Sequence, residues 1–262
     1  MNKSCLILLL CLFGISLSAV EIRYDILPRL NPEIPWIGDP DVSATKHKRL
    51  VELWNSIVKE YRRDASSSQY GVYQMASDDE YTSIKKQKKD QEYLITLLDQ
   101  ELHAVDIDWN CVHIILILMS GGMDADSRIV ELARYLYKLP RPIKMNDFWA
   151  LSYTQTLWVL GNIGTSDAAE MLYDALTHDF WGKDPIHSRK LSCERNTEEN
   201  IDLLRQLALN RITEYPGERV IPLLEKFMKE FPLLEKTDLG AEANFRRAVE
   251  VRLKKIKTKV KQ

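Results

Sequence analysis

The chain has 262 residues, of which 45% are hydrophobic and 28% charged, and its formal net charge at pH 7 is −2. This length allows one sizeable domain or two small ones, and the composition excludes a disordered tail. The near-zero charge provides no field that would attract nucleic acid, and only 10 Gly and 10 Pro argue against an all-β fold with many turns.

Residues 1–18 have the layout of a secretory signal peptide. Lys3 precedes an apolar run over residues 5–15, and Ser16 and Ser18 are the small residues expected before a cut. The run is shorter than the ~20 residues of a spanning helix. We therefore expect export with cleavage after Ser18, or alternatively one residue later, and a secreted or periplasmic protein.

Residues 19–43 form a Pro-rich lead-in to a helical domain over residues 44–262. Pro28, Pro32, Pro35 and Pro40 exclude a helix interior, so this segment is predicted to be extended. Its aliphatic and aromatic side chains favour docking on the helices over a free linker.

Apolar spacing then predicts several helices. One covers Thr45 to Arg63, and a Ser-x-x-Glu capping box at Ser77 opens a long helix that ends near Val105. Trp109 to Met119 is apolar nearly all round, which indicates a buried helix rather than a membrane span. A Gly-containing turn leads to a further helix over Ser127 to Lys138.

The stretch from Trp149 to Trp181 contains two apolar helical patterns around a turn at Gly161–Asp167. Gly164 suits the position just past a helix end, where φ is often positive. Asp167 and Glu170 suit the first turn of the second helix, because carboxylates there favour the helix dipole. The apolar stripe of this second helix is predicted to extend to Phe180.

The remainder is predicted to contain a long polar loop and three helices. The loop covers Gly182 to Asn196, and the helices cover Thr197 to Glu214, Glu218 to Glu230, and the chain from about Gly240 onward. Pro222 is acceptable only if it lies in the first turn of its helix.

Three segments share one layout, in which an apolar helix, a Gly-containing turn and an amphipathic helix follow one another. Gly122 and Gly164 are 42 residues apart (164 − 122), and Gly164 and Gly217 are 53 apart (217 − 164). Helical arrays have units of about 40–47 residues. The segment Leu160-Gly-Asn-Ile-Gly-Thr-Ser-Asp-Ala-Ala169, followed by Leu172, resembles the HEAT-like repeat pattern of small bacterial α-solenoids.

The resemblance implies an all-α fold of stacked antiparallel helical hairpins, with roughly 8–10 helices, and a partner-binding role without a reaction. In stacked hairpins, the face opposite the apolar stripe lines a continuous surface. On the second helix of the recognised unit, that face carries Glu170, Asp174, Thr177, His178 and Trp181. The alternative is that Trp181 packs on the following loop and that the others form a solvated face.

Familiar catalytic and nucleotide-binding motifs are absent from the sequence, so we expect no catalysis, no cofactor and no metal. A metal site formed by His103, Asp106, Asp108 and His113 is an alternative, although their spacing matches no metal motif. Asp108 fits better as a helix cap.

Two further alternatives concern the loop and the cysteines. An envelope enzyme could have its site around the loop at residues 182–196, with His178 shortly before the loop and His187 within it. Cys111 and Cys193 are the cysteines that remain after export, and they either form a disulfide or leave Cys111 buried and unpaired.

The C-terminal helix is basic. From Arg246 onward it carries eight cationic residues against Glu250, a local charge of +7 (8 − 1), and it can attach peripherally to anionic lipid or serve as a polar end cap. The cationic residues are Arg246, Arg247, Arg252, Lys254, Lys255, Lys257, Lys259 and Lys261. The sequence as a whole predicts an exported HEAT-like scaffold that binds another protein or peptide in the cell envelope, and nucleic acid is not expected as a partner.

Overall fold

The computed structural model describes residues 40–64, 86–139, 147–181, 197–232 and 240–260. All of them belong to one compact unit, Trp36–Gln262. The predicted signal peptide, most of the Pro-rich lead-in, the capping box at Ser77 and the loop at 182–196 lie outside the described residues.

Within the described residues the fold is all-helical, as the sequence predicts, with nine α-helices and no strand. The helices are α1 (Lys48–Asp64), α2 (Lys88–Leu102), α3 (Trp109–Met119), α4 (Ser127–Lys138), α5 (Asp147–Ile163), α6 (Ser166–Asp174), α7 (Thr197–Ile212), α8 (Gly217–Glu230) and α9 (Ala241–Val260). Two 3-10 turns cover Val42–Ala44 and Asp179–Trp181.

Short polar side chains fix where the central helices begin. The Asp108 carboxylate accepts from the Cys111 backbone N–H at the start of α3, as the sequence predicts for this residue. Asp126 accepts from the Arg128 N–H at the start of α4, and Thr165 accepts from the Ala168 N–H at the start of α6. Each bond satisfies a backbone donor that the first helical turn leaves without a partner.

The helices pack in two series. The odd-numbered helices α1, α3, α5, α7 and α9 contact one another in succession, and so do the even-numbered helices α2, α4, α6 and α8. Extensive contacts among the described helices join only helices one or two apart in the chain. The pair α5 and α6 packs closely, whereas α3 makes few direct contacts with α4, and α7 makes few with α8.

Helix α3 is the most deeply buried element. All its residues except Asn110 are buried, which explains why its sequence is apolar on every side. Its largest contact is with α5. None of the described helices combines the length and the apolarity that a bilayer crossing requires.

Two predicted helix limits on the N-terminal side are wrong. Helix α2 begins at Lys88, because Lys86 is non-helical and Gln87 has an extended backbone with ψ of 145°. This start places Asp90 in the first turn, where its carboxylate favours the dipole. The turn predicted at Gly161–Asp167 shortens to Gly164 and Thr165, since α5 continues to Ile163. Gly164 has φ of +70°, as predicted.

Two predictions on the C-terminal side are also wrong. Helix α6 ends at Asp174 and does not reach Phe180, because the Thr177 hydroxyl donates to the Asp174 carbonyl and the chain turns there. Pro222 lies in the second turn of α8 rather than the first. Its side chain is exposed, so the Glu218 carbonyl that lacks its helical donor can bind water instead.

Candidate functional site

The structure separates the five residues predicted to form a binding face. Glu170 and Asp174 are exposed on α6, while Thr177 and His178 are half-buried in the turn that follows. Trp181 lies beyond them in a 3-10 turn. The single helical face predicted from Glu170 to Trp181 is therefore not formed.

Trp181 is part of the core. Its side chain is buried, and its indole N–H donates to the Ala175 carbonyl at 3.0 Å. The rings of Tyr137 and Phe180 lie nearly perpendicular to it, with ring centroids 5.4 and 5.0 Å away. The indole is therefore not exposed to a partner; the alternative that it packs on the following loop concerns residues 182–196, which lie outside the described residues.

Asp174 instead belongs to a charged surface shared by three even-numbered helices. Burial raises the pKa of its carboxyl, and the cations of Arg134 on α4 and Lys226 on α8 oppose that rise. The Lys226 ammonium also lies over the Tyr173 ring, 4.7 Å from its centroid, and the Tyr173 hydroxyl donates to Glu230. We call this surface the even-helix face and define it by Arg134, Glu170, Asp174, Lys226 and Glu230.

The four residues considered for a metal site are not brought together. The His103 ring stacks on Tyr135 with a centroid distance of 4.2 Å, and His113 is buried beside Phe148. Asp108 is occupied as the cap of α3, and Asp106 is exposed. Each has a local structural role or faces solvent.

A different cluster forms between the ends of three helices. His47 precedes α1, Glu101 lies in the last turn of α2, and Cys111 lies in the first turn of α3. One ligand atom from each of these residues lies within 4.8 Å of the others. The His47 Nε2 atom is 2.7 Å from the Glu101 Oε1 atom. This is the one such group of His, Cys and carboxylate side chains in the part of the chain that the structure describes.

Local hydrogen bonds hold the segment that carries His47. The Asp41 N–H donates to the Asn110 side-chain oxygen at 2.9 Å, and the Asn110 amide donates back to the Asp41 carbonyl at 2.8 Å. These two bonds attach residues 40–44 to the start of α3. The His47 N–H donates to the Thr45 hydroxyl.

The electrostatics of the cluster combine burial with one exposed cation. Burial raises the pKa of the Cys111 thiol to about 12, so the thiol is protonated at neutral pH. Glu101 is 3% exposed, and the Lys46 ammonium is 3.4 Å from its Oε1 atom. A protonated and fully buried thiol is a poor nucleophile, so the arrangement argues against covalent catalysis by Cys111.

Sequence reasoning missed this cluster because its residues are far apart in the chain. Glu101 follows His47 by 54 residues, and no metal motif has that spacing. The sequence predicts Cys111 to be a disulfide partner or a buried, unpaired thiol but not a ligand, and the structure has it as a free buried thiol. Cys193 lies outside the described residues, as do the polar loop and His187.

Comparisons with protein-family models, with curated proteins and with solved structures gave no match for this chain.

Proposed function

We propose that this chain is an exported, HEAT-like α-solenoid that binds another protein and has no catalytic role. The supporting observation is that helices two apart in the chain contact one another in both series. Stacked hairpins produce this contact pattern, because each unit buries its apolar sides against its neighbours.

The links between successive turns support the same proposal. The Asn162 amide donates to the Ser120 carbonyl, and the two residues are 42 apart. Gly122 and Gly164, the positive-φ glycines of the same turns, have the same separation (164 − 122 = 42). Equivalent positions of the two units are thus in contact, which is expected of a repeat.

The third unit contacts the second in a similar way. The Tyr215 hydroxyl donates to the Leu160 carbonyl, and the Arg219 guanidinium donates to the Gly164 carbonyl, each across 55 residues. The third turn differs in detail, because Gly217 is the first residue of α8 and has no positive φ. A variable turn with constant stacking is compatible with an irregular solenoid.

The even-helix face is the proposed binding surface. Three consecutive even-numbered helices contribute to it, so one extended partner segment can contact all of them. The face carries both signs of charge, and we therefore expect a protein segment that also carries both.

Site-specific photocrosslinking tests the binding role. A photoreactive phenylalanine analogue at Asp174 should give one discrete adduct in envelope extract, and Lys226→Glu should abolish it. The matched control places the analogue at Glu52, which is exposed on α1. Among the helices, α1 packs mainly against α3, an odd-numbered helix. Equal adducts at both positions, or none at Asp174, Glu170 and Arg134, would contradict the proposal.

Export is a separate part of the proposal. The apolar run after Lys3 and the small residues Ser16 and Ser18 support it. Expression in a bacterial host should give a mature chain whose N-terminus is Ala19, as read by N-terminal sequencing. Ser16→Arg with Ser18→Arg should block the cleavage, whereas Ser43→Arg should not; an uncleaved cytosolic chain would argue against export.

Membrane attachment through α9 is a second candidate function. Lys254, Lys255 and Lys259 are exposed, whereas Lys257 pairs with Glu225 at 2.6 Å and Arg252 donates to Asn210. Vesicles with anionic lipid should sediment the wild-type protein at low salt. The triple exchange of these three exposed lysines to Gln should abolish sedimentation, and unchanged sedimentation would exclude attachment through α9.

A further inference from the structure

We propose that His47, Glu101 and Cys111 bind a divalent transition metal of the Zn²⁺ class, and that this metal fastens the start of α1 to the end of α2 and the start of α3. The site is independent of the scaffold function proposed above.

The donor atoms suit this metal class. Zn²⁺ takes thiolate sulfur, imidazole nitrogen and carboxylate oxygen, at about 2.3, 2.0 and 2.0–2.2 Å. In a tetrahedral arrangement such donors are roughly 3.3–3.6 Å apart. The three donor atoms already lie within 4.8 Å of one another, so side-chain adjustments of about an ångström would complete the geometry. The thiolate disfavours Mg²⁺ and Ca²⁺, which prefer oxygen ligands.

An orphaned oxygen points to a cation in the same place. The Glu101 Oε2 atom is buried and accepts no hydrogen bond from any described residue, and the side chain as a whole is only 4% exposed. A buried carboxylate oxygen without a partner is costly. A metal ion between Glu101, His47 and Cys111 would remove that cost.

The charges also balance. A Cys111 thiolate and the Glu101 carboxylate together carry two negative charges, and the His47 imidazole binds as a neutral ligand. With a bound dication the three ligands and the metal together carry no net charge, so burying them costs little electrostatic free energy. When the metal binds, the Cys111 proton and any proton on His47 are released to solvent.

Solvent reaches the site from one side. Cys111 is fully buried and Glu101 nearly so, whereas the His47 side chain is 23% exposed. A metal ion therefore enters past His47, and water can occupy a fourth coordination position on that side. The Lys46 ammonium beside Glu101 is 69% exposed and can swing into solvent when a cation binds.

Cobalt titration of the full chain tests the site. We would use a Cys5→Ser, Cys11→Ser, Cys193→Ser background, in which Cys111 is the sole thiol. After EDTA treatment, one equivalent of Co²⁺ should give thiolate-to-cobalt charge-transfer absorption and the visible bands of tetrahedral cobalt. One equivalent of Zn²⁺ should bleach both signals and raise the Tm, because the metal binds the folded chain.

Variants assign the ligands. Cys111→Ser should remove the charge-transfer absorption. His47→Gln and Glu101→Gln should each weaken Co²⁺ binding about tenfold or more, because the loss of a ligand should cost at least as much affinity as the loss of a residue that only orients one. His103→Gln is the matched control, because His103 also contacts a carboxylate, Asp99, but lies outside the cluster. It should bind Co²⁺ as the background does.

Far-UV circular dichroism shows whether each variant folds. If Cys111→Ser does not fold, His47→Gln decides the matter, since its side chain is partly exposed. Absence of charge-transfer absorption in the folded background, or equal Co²⁺ affinity in His47→Gln and His103→Gln, would overturn the proposal.

Discussion

Apart from α1, the described helices form an N-terminal half, α2 to α5, and a C-terminal half, α6 to α9, which are held together by different chemistry. In the first half, α3 is buried along its whole length except at Asn110. Its buried side chains are apolar apart from His113. In the second half, buried or half-buried arginines bridge the helices. Arg205, at 1% exposure, joins α7 to α9, and Arg211 lies 3.6 Å from the Trp158 ring centroid, which joins α7 to α5 of the first half. The comparison teaches that neighbouring helices of one fold can be held together by buried apolar area in one region and by directed polar contacts in another.

The two kinds of contact respond differently to substitution. An apolar contact loses stability in proportion to the volume removed. When an arginine that donates to several acceptors is replaced, the loss of stability depends on which of those acceptors remain buried without a donor. Each prediction below is a change in the free energy of unfolding, measured by urea denaturation with circular dichroism, in order of decreasing size.

Ile115→Ala in α3 should have the largest effect. Ile115 is fully buried, so truncation leaves a cavity and should cost about 2–5 kcal/mol. Leu203→Ala in α7 is the matched control, because Leu203 is 42% exposed and should lose less than about 0.5 kcal/mol. Similar losses at both positions would mean that α3 is not the core of the first half.

Arg205→Met should cost about 1.5–3 kcal/mol, the range for hydrogen bonds that involve charged groups. Arg205 Nε donates to the Leu176 carbonyl at 2.7 Å, and its terminal nitrogens donate to both Glu242 oxygens at 2.7 Å. Glu242 is 57% exposed and can be solvated again, so most of the loss comes from the Leu176 carbonyl. Arg205→Lys should lose less than Arg205→Met; a Met variant as stable as wild type would show that the guanidinium is not what joins these helices.

Gly217→Ala and Gly164→Ala should both lose about 1–2 kcal/mol, but for different reasons. A Cβ at Gly217 would overlap the Val260 side chain and lie 3.2 Å from Ile256 Cγ2, so the defect is a close approach to α9. A Cβ at Gly164 meets nothing within 4 Å, and the defect there is the backbone φ of +70°.

Val260→Ala separates the two causes. It removes the methyl group that Gly217→Ala would meet and should restore most of that loss, while leaving Gly164→Ala unchanged. Rescue of both variants, or of neither, would show that the close approach to α9 is not what requires glycine at residue 217.

Sequence patterns predicted the elements whose determinants are local. The limits of α3 and α4 follow from an apolar run and from Asp108 and Asp126, which cap them. Trp181 was misplaced because the turn at Thr177 ends α6 early, and a helical pattern cannot register such a turn. The burial of Arg205 could not be predicted, because a polar residue in an amphipathic helix usually indicates a surface position. The cluster of His47, Glu101 and Cys111 could not be predicted either, because only the fold brings these three residues together.

The smallest effect expected is at the contact between α5 and α7. A Cβ at Gly161 would lie 2.8 Å from Arg211 Cδ, the flexible part of a side chain. In the wild type, Gly161→Ala gains helix propensity but must displace Arg211 from the Trp158 ring, so the two terms nearly cancel. An Arg211→Ala background removes the Cγ and Cδ atoms and leaves only the Cβ atom of residue 211, 3.0 Å from the new methyl group, so the same exchange should be more favourable there than in the wild type.

A double-mutant cycle measures the difference, and Gly161→Ala should be more favourable in the Arg211→Ala background by at least about 0.5 kcal/mol. Equal effects in both backgrounds would mean that Arg211 does not occupy the space above Gly161. The contact between α5 and α7 would then depend on apolar area, and the contrast between the two halves would rest on the other arginines, of which Arg205 is the most buried.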